Sequence, residues 1–484
     1  MSKFIHQTLP HHHHHAIIIP CPFQGHINPA IHLSLRLASI GFKITFINTQ
    51  FIHSQITKAH SSEPGPGPES NNIFSKARES GLDIHYITIY DGFPLDFDRN
   101  MNSLPFLEGL INGFVDHVDE LVGKLIEKDD SINCLVADTF FVWPSIIAMK
   151  YNMVHVSFFT EPALVFALYY HLHLLQQKGH FGSHENRKDI VDYIPGVKSI
   201  KSSDLPSLFQ NSVVHQLIYK AFQDVRKADI IIANTVQELE PETITSIQEK
   251  HSFYAIGPIV SANFTDLTIP SSLWSEIDCT QWLDAKPHGS VLYVSFGSVA
   301  LVNKEDILEL AHGLMLSEVN FVWVLRFNFL GQDEKSILPD GFEGKVKDRG
   351  LIVPWCNQMK VISHSAIGGF LSHCGWNSVV ESIWCGVPLI CSPLVTDQLA
   401  NRKLVVYDWK VGINLRDGES ITREEVRDKI KYLMNEEISS NLRKTIAQVK
   451  ETFYSALATN GSSNVNFNKF VEELTMKISL VREH

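Results

Sequence analysis

Residues 355–398 read WCNQMKVISHSAIGGFLSHCGWNSVVESIWCGVPLICSPLVTDQ, an alternation of strand, turn and helix signals. The apolar run Ile367–Leu371 has the length of a buried strand, and Ser372-His373-Cys374-Gly375 makes the turn that follows it. Asn377-Ser378-Val379-Val380-Glu381 then opens a helix, with Ser378 and Glu381 spaced as a capping box. Gly386-Val387-Pro388 stops that helix and Leu389-Ile390-Cys391 begins another strand. A helix that starts directly after a strand presents unpaired N–H groups and the positive end of its dipole, which suits a phosphate or diphosphate.

Moving outward, Ala16–Ile19 reads as a strand buried on both faces, Pro20–Pro29 as the loop after it, and Ala30 to Ile40 as an amphipathic helix leading to a strand at Lys43–Ile47. The loop holds His26 and lies at the carboxyl edge of a parallel sheet, where α/β proteins bind ligands. It lacks the G-x-G-x-x-G fingerprint that a dinucleotide oxidoreductase needs. Cys134–Ala137 is the next buried strand and Asp138 ends it; a carboxylate there either caps the following helix or faces the cleft. Val154–Phe159 ends at Thr160, whose hydroxyl is open to the same two uses, the helix in question starting at Ala163. Val260–Asp278, rich in Ser, Thr, Pro and Asn, reads as an interdomain linker. Beyond it, Val291–Phe296, Phe321–Leu325 and Gly350–Val353 supply a second series of strands. The expected division is a flexible leader at 1–15, an N-terminal domain at 16–259, the linker at 260–278, a C-terminal domain at 279–465 and a last helix at 466–484 that crosses back.

Bulk properties bound the alternatives. A chain of 484 residues is too long for one ordinary core, and 44% hydrophobic with 19% charged residues describes a folded globular protein. A net charge of -12 without a dense Lys/Arg run argues against nucleic acid or an anionic membrane as partner. Seven cysteines without a C-x-x-C motif fit reduced, buried thiols in a cytoplasmic protein. No apolar run reaches membrane-span length, since Val165–Leu175 is interrupted by histidine, and the first residues lack a signal-peptide core. The run His11–His15 reads as a solvated leader, because a single flexible tail offers a metal no second shell.

The stretch opening with Trp355 and Gln358, passing through His373-Cys374-Gly375-Trp376-Asn377-Ser378, Glu381 and Gly386-Val387-Pro388, and closing on Asp397-Gln398 resembles the plant secondary-product glycosyltransferase box, the donor-binding signature of plant UDP-glycosyltransferases. Gly25-His26-Ile27-Asn28-Pro29 and Cys134–Asp138 resemble that family's segments for the catalytic histidine and its aspartate. The resemblance implies a GT-B architecture, two Rossmann-like doubly wound α/β domains facing across a cleft, with acceptor on the N-terminal side and nucleotide sugar on the C-terminal side. It implies His26 as general base and Asp138 as its orienting partner. Trp355 would stack on uracil, Cys356 would join the donor-binding set, and Gln358 and Glu381 would take the ribose. Ser298, His373, Asn377 and Ser378 would hold the diphosphate, while Thr160, Trp376, Asp397 and Gln398 would serve the sugar.

No metal or other cofactor is implied, and direct displacement would invert the anomeric carbon. The implied partners are a UDP-sugar, glucose being the expected sugar from the closing glutamine, and a small lipophilic plant hydroxyl compound (phenolic, flavonoid or terpenoid), handled by a monomer without stable membrane insertion. Phe23, Phe93, Phe140, Phe141 and Trp143 are the candidate acceptor walls. Two positions depart from the family: Ser392 where Trp is frequent, and Asn357 where Pro is frequent. The competing reading, a catalytically silent UDP-sugar-binding regulator, should have lost His26 or Asp138, and both are present.

Overall fold

The computed structural model describes residues 14–60, 72–99, 102–180, 189–207, 212–260, 269–298, 302–326, 337–416 and 420–482. His11–His13 and residues 261–268 of the expected linker lie outside the described residues.

Two parallel sheets carry the chain. In the N-terminal half, β1 (His15–Ile19), β2 (Lys43–Thr49), β3 (Ile84–Ile89), β4 (Ile132–Asp138) and β5 (Val154–Phe159) precede a two-residue antiparallel pair, β6 (Ile190–Val191) with β7 (Ile200–Lys201), and then β8 (Ile230–Ala233) and β9 (Phe253–Ala255). The sheet order is β3-β2-β1-β4-β5-β8-β9. The C-terminal half contributes β10 (Val291–Ser295), β11 (Asn320–Val324), β12 (Gly350–Val353), β13 (Ile367–Ser372), β14 (Leu389–Cys391) and β15 (Gly412–Asn414), ordered β12-β11-β10-β13-β14-β15. Within each half the strands follow the same 3-2-1-4-5 sequence, so each sheet reverses direction once, at β1/β4 and at β10/β13. Strands such as β1 and β4 are buried at every residue, as a sheet covered by helices on both faces requires.

Several boundaries differ from the sequence reading. β1 begins at His15, whose buried ring bonds Asp129 and Thr45 at 3.1 and 2.8 Å, so this histidine belongs to the sheet and not to a leader. The first helix starts at Gln24, not near Ala30, and runs to Ser39 with Pro29 inside it. A proline is tolerated there because the carbonyl it leaves without an N–H, that of Gly25, accepts instead from Asn377 Nδ2 of the other domain at 3.0 Å. Leu104–Ile126, helix-periodic throughout, is two helices, Ser103–Asn112 and Phe114–Lys128, parted at Gly113.

The halves are joined by more than a linker. Trp376 Nε1 donates to the Asn234 carbonyl at 2.7 Å and Trp409 Nε1 to that of Leu239 at 3.2 Å. One apolar cluster runs without a break from Phe166 and Phe222 to Val379 and Leu404. The last helix, Ser462–Arg482, starts four residues before its expected boundary and seals the N-terminal sheet: Phe467, Phe470, Leu474 and Ile478 are buried against Ala16, Ile18 and Val136. Glu473 accepts from Ser252 Oγ and Tyr254 Oη at 2.8 and 2.6 Å, and the Arg36 guanidinium lies 3.6 Å from the Phe467 ring centre. Phe470 is fully enclosed, so Phe470→Ala should destabilise the N-terminal sheet by about 3–5 kcal/mol, read as a lowered midpoint in urea unfolding followed by tryptophan fluorescence.

Candidate active site

His26 is the third residue of the first helix, so the turn after β1 aims its ring at the end of β4. Its Nδ1 lies 2.8 Å from Asp138 Oδ2 and 3.0 Å from Thr160 Oγ1. The other oxygen of Asp138 accepts from the Phe140 N–H at 3.0 Å, which fixes the carboxylate plane. The carboxylate partner places the ring proton on Nδ1 and leaves Nε2 as the acceptor. Burial pulls the His26 pKa down, but the charge and hydrogen bond of Asp138, with the charge of Asp397, outweigh it and the net shift is upward.

Neither of the capping alternatives holds. The helix after Asp138, Pro144–Lys150, has Trp143 at its N-cap, and the helix Ala163–Tyr170 is capped by the Glu240 carboxylate, which accepts from Ala163 N and Leu164 N at 2.9 and 2.7 Å. Asp138 and Thr160 are thereby left to His26. Of the candidate acceptor walls, Phe23 and Phe140 flank the His26 ring with centroids 6.3 and 5.6 Å away, and Phe93 joins through Phe106 at 5.6 Å. Phe141 and Trp143 do not belong there; they pack on each other and on Phe114 in the core, 3% and 1% exposed.

Across the cleft, the switch point of the second sheet gathers the family-box residues. His373 follows β13, and its ring occupies a slot that two glycines keep open: a Cβ on Gly297 or Gly375 would sit 2.5 or 2.4 Å from its Nε2. Gly297 also has φ +73°, a conformation that favours glycine. Burial lowers the His373 pKa to about 4, with a hydrogen bond to the Ser295 backbone opposing and the Arg326 charge assisting, so the ring is neutral at physiological pH. Asn377 and Ser378 lie in the first turn of the helix Trp376–Cys385, whose N-cap is Gly375. The capping box is therefore not formed. Ser378 and Glu381, one turn apart, instead both accept from Gln358 Nε2, at 2.9 and 2.7 Å. Burial raises the Glu381 carboxyl to about 7, the Gln358 bond pulling the other way.

Gln358 opens a short helix whose N-cap is Asn357; its side chain accepts from Lys360 N at 3.0 Å, which gives the residue replacing the family proline a local use. Trp355 lies against Trp274 of the linker, ring centres 4.5 Å apart, while the Cys356 thiol is buried 3.7 Å from Tyr293 Oη, leaving only its backbone to face a nucleotide. The Trp376 indole is likewise spent on Asn234. At the far end, Asp397 is oriented by Thr396 Oγ1 at 2.6 Å and Asn401, and Gln398 Oε1 accepts from Leu394 N and Val395 N at 2.9 and 3.0 Å, so only its NH₂ can reach a ligand.

Three groups escaped the sequence reading. Arg326 follows β11, donates to the Ser298 carbonyl at 2.5 Å, lies 5.2 and 5.9 Å from the Trp274 and Trp355 rings, and stays cationic although burial lowers its pKa to about 10. Glu161, beside Thr160, keeps Oε2 buried without a hydrogen-bond partner among the described residues; burial and the charges of Asp397 and Asp138 push its carboxyl well above the usual range. Ser207 bonds the Thr396 N–H at 2.7 Å from the opposite domain. The only available signal was that Arg326 and Glu161 follow predicted strands.

Two doubly wound domains that present their switch points to one cleft, a histidine–aspartate pair on one side and a helix N-terminus with a cation on the other, define a GT-B glycosyltransferase. The chain belongs to the UDP-glucoronosyl and UDP-glucosyl transferase family, whose profile matches residues 124–449, and it is a UDP-glycosyltransferase of the plant type. It is 53% identical to UDP-glycosyltransferase 86A1 of Arabidopsis thaliana over 472 residues, covering 96% of this chain and 94% of that one. It superposes on Medicago truncatula UGT71G1 complexed with UDP-glucose with a TM-score of 0.79 at 26% identity, covering 96% and 98% of the two chains. A UDP-glucose:anthocyanidin 3-O-glucosyltransferase in complex with UDP gives 0.80 at 26%, covering 96% and 99%.

The Glu381 environment makes a stability prediction. The folded carboxyl titrates near 7 and the ordinary value is 4.5, so the folded protein holds an extra proton between them. Stability therefore falls as pH rises through that window and levels off above it. Glu381→Gln removes the titration: the variant should gain on wild type from about pH 5 to 8, by about 1–2 kcal/mol once partial exposure is discounted, and show no such gain in more acidic buffer. Thermal melts at the two ends of the range measure it.

Proposed function

We propose that the protein transfers glucose from UDP-glucose to a hydroxyl of a small lipophilic plant metabolite, with inversion, yielding a β-O-glucoside. The observation that carries this reading is the 2.8 Å bond between His26 Nδ1 and Asp138 Oδ2, which leaves Nε2 free to take a proton between the aromatic rings of Phe23 and Phe140. In this mechanism His26 removes the acceptor proton as its oxygen attacks the anomeric carbon, and Asp138 steadies the imidazolium that forms. Electrons leave with UDP, whose growing negative charge meets the N-terminus of Trp376–Cys385, the neutral His373 and the Arg326 cation. Gln358 and Glu381, already paired, take the ribose diol, and Trp355 the uracil. Asp397 and the NH₂ of Gln398 hold the sugar hydroxyls.

Acceptor class rests on the aromatic lining and on the anthocyanidin activity named for one structural relative. A cytoplasmic location accords with seven free cysteines, six of them buried, and with the finding that none of the described helices is long and apolar enough to cross a membrane.

His26→Ala should abolish nearly all transfer, a loss of at least about 10³-fold in kcat, with UDP affinity unchanged by calorimetry; turnover within a few fold of wild type would refute the base. Asp138 raises the His26 pKa, so Asp138→Asn should slow transfer and move the acidic limb of the kcat/KM profile to lower pH, an unmoved limb counting against the pairing. For the donor, UDP-glucose should exceed UDP-galactose by about tenfold or more in kcat/KM, one or two unpaired buried hydroxyl contacts sufficing. Equal rates in a panel including UDP-xylose and UDP-glucuronate would overturn the glucose assignment.

A further inference from the structure

The loop that delivers Asp397 and Gln398 contains a backbone conformation that its own sequence disfavours. Thr396 has φ +61°, a left-handed setting that a β-branched residue almost never adopts unless its surroundings impose it. The surroundings here come from the other domain. Ser207 lies just beyond β7 and the helical turn Ser202–Asp204 of the N-terminal half. Its Oγ accepts the Thr396 N–H at 2.7 Å, and its own N–H donates to the Thr396 carbonyl at 3.2 Å, so both backbone polar groups of the strained residue are taken by one serine. An ion pair between the buried Asp204 and the partly buried Arg402 ties the same two segments together.

The consequence reaches the sugar end of the cleft through bonds already formed. The Thr396 hydroxyl donates to Asp397 Oδ1 at 2.6 Å, Asn401 Nδ2 donates to the other carboxylate oxygen and to the Cys374 carbonyl, and Gln398 closes the loop on Leu394 N and Val395 N. If Thr396 relaxed to negative φ, the peptide leading into Asp397 would rotate and its hydroxyl would leave the carboxylate. The groups assigned to uracil, ribose and diphosphate follow β10, β11, β12 and β13 or lie on the helices Gln358–Ile362 and Trp376–Cys385, outside this loop.

We propose that Ser207 is a positioning residue: from the acceptor-side domain it holds Thr396 in its strained conformation, so that the Asp397–Gln398 sugar grip is complete only while the two domains are closed on each other. The assignment rests on the reading of Asp397 and Gln398 as sugar ligands and adds the element that sets them.

Ser207→Ala should lower kcat/KM for UDP-glucose about tenfold while the calorimetric Kd for UDP, which lacks the sugar, stays within about twofold of wild type. Ser207→Thr, which keeps the hydroxyl, should retain most of the activity. Glycine accepts φ +61° without strain, so in a Thr396→Gly background Ser207→Ala should cost less than about threefold. The proposal is overturned if Ser207→Ala leaves kcat/KM for UDP-glucose within twofold of wild type, if it weakens UDP binding by the same factor as sugar transfer, or if its cost is undiminished beside Thr396→Gly. Wild-type protein that binds UDP but neither transfers nor hydrolyses the sugar of UDP-glucose would overturn the underlying reading, and this assignment with it.

Discussion

Parallel strands are joined only by long crossovers, and where the strand order reverses, the two flanking connections leave on opposite faces of the sheet. The gap between them, at the carboxyl ends of the strands, is the one place where loops can converge without covering each other. This chain has two such gaps, at β1/β4 and β10/β13, turned toward one another. His26 leaves the first strand of one gap and Asp138 ends the second. Gly297 and Ser298 leave the first strand of the other, and His373 the second. The constellation follows from topology before any side-chain detail, and the contacts Asn377–Gly25, Trp376–Asn234 and Ser207–Thr396 hold the gaps in register.

Charge is divided across the cleft in a way the chemistry can use. Beside His26 stand Asp138 and Asp397, whose charges bias the ring toward accepting a proton. Opposite, where negative charge would leave, the groups are a helix N-terminus, a histidine kept neutral by burial and Arg326. His373, kept neutral by burial, adds no second cation beside Arg326. Proton acceptance and departure of charge are assigned to different domains.

Legibility in the sequence tracked the range of the interactions. Strands buried on both faces were visible as apolar runs, and β12 was placed to the residue. His26, Asp138 and the box residues were visible as ordered motifs, and the structure sets His26 beside Asp138 and Gln358 beside Glu381. Failures came where a distant group overrode a local rule. Pro29 marked a loop until Asn377 supplied the missing partner for the Gly25 carbonyl, and Ser378–Glu381 had capping-box spacing until Gln358 took both side chains. Thr160 preceded a helix that Glu240, 77 and 76 positions away from the amides it binds, caps instead. Phe141 and Trp143 were indistinguishable by type from Phe140, and only packing sorted wall from core. Ser207 lies in a stretch with no motif, and its use depends on a strain that composition does not reveal.

In the proposed mechanism a base on one domain drives direct attack at a sugar held by the other, with no covalent sugar–protein intermediate. Anomeric configuration reports on this directly. The donor sugar is α-linked to UDP, and a single displacement from the opposite face inverts it. Proton NMR of the glycoside made from UDP-glucose and any accepted phenol should show only the large diaxial coupling of a β-anomer. An α-configured product would rule out single displacement.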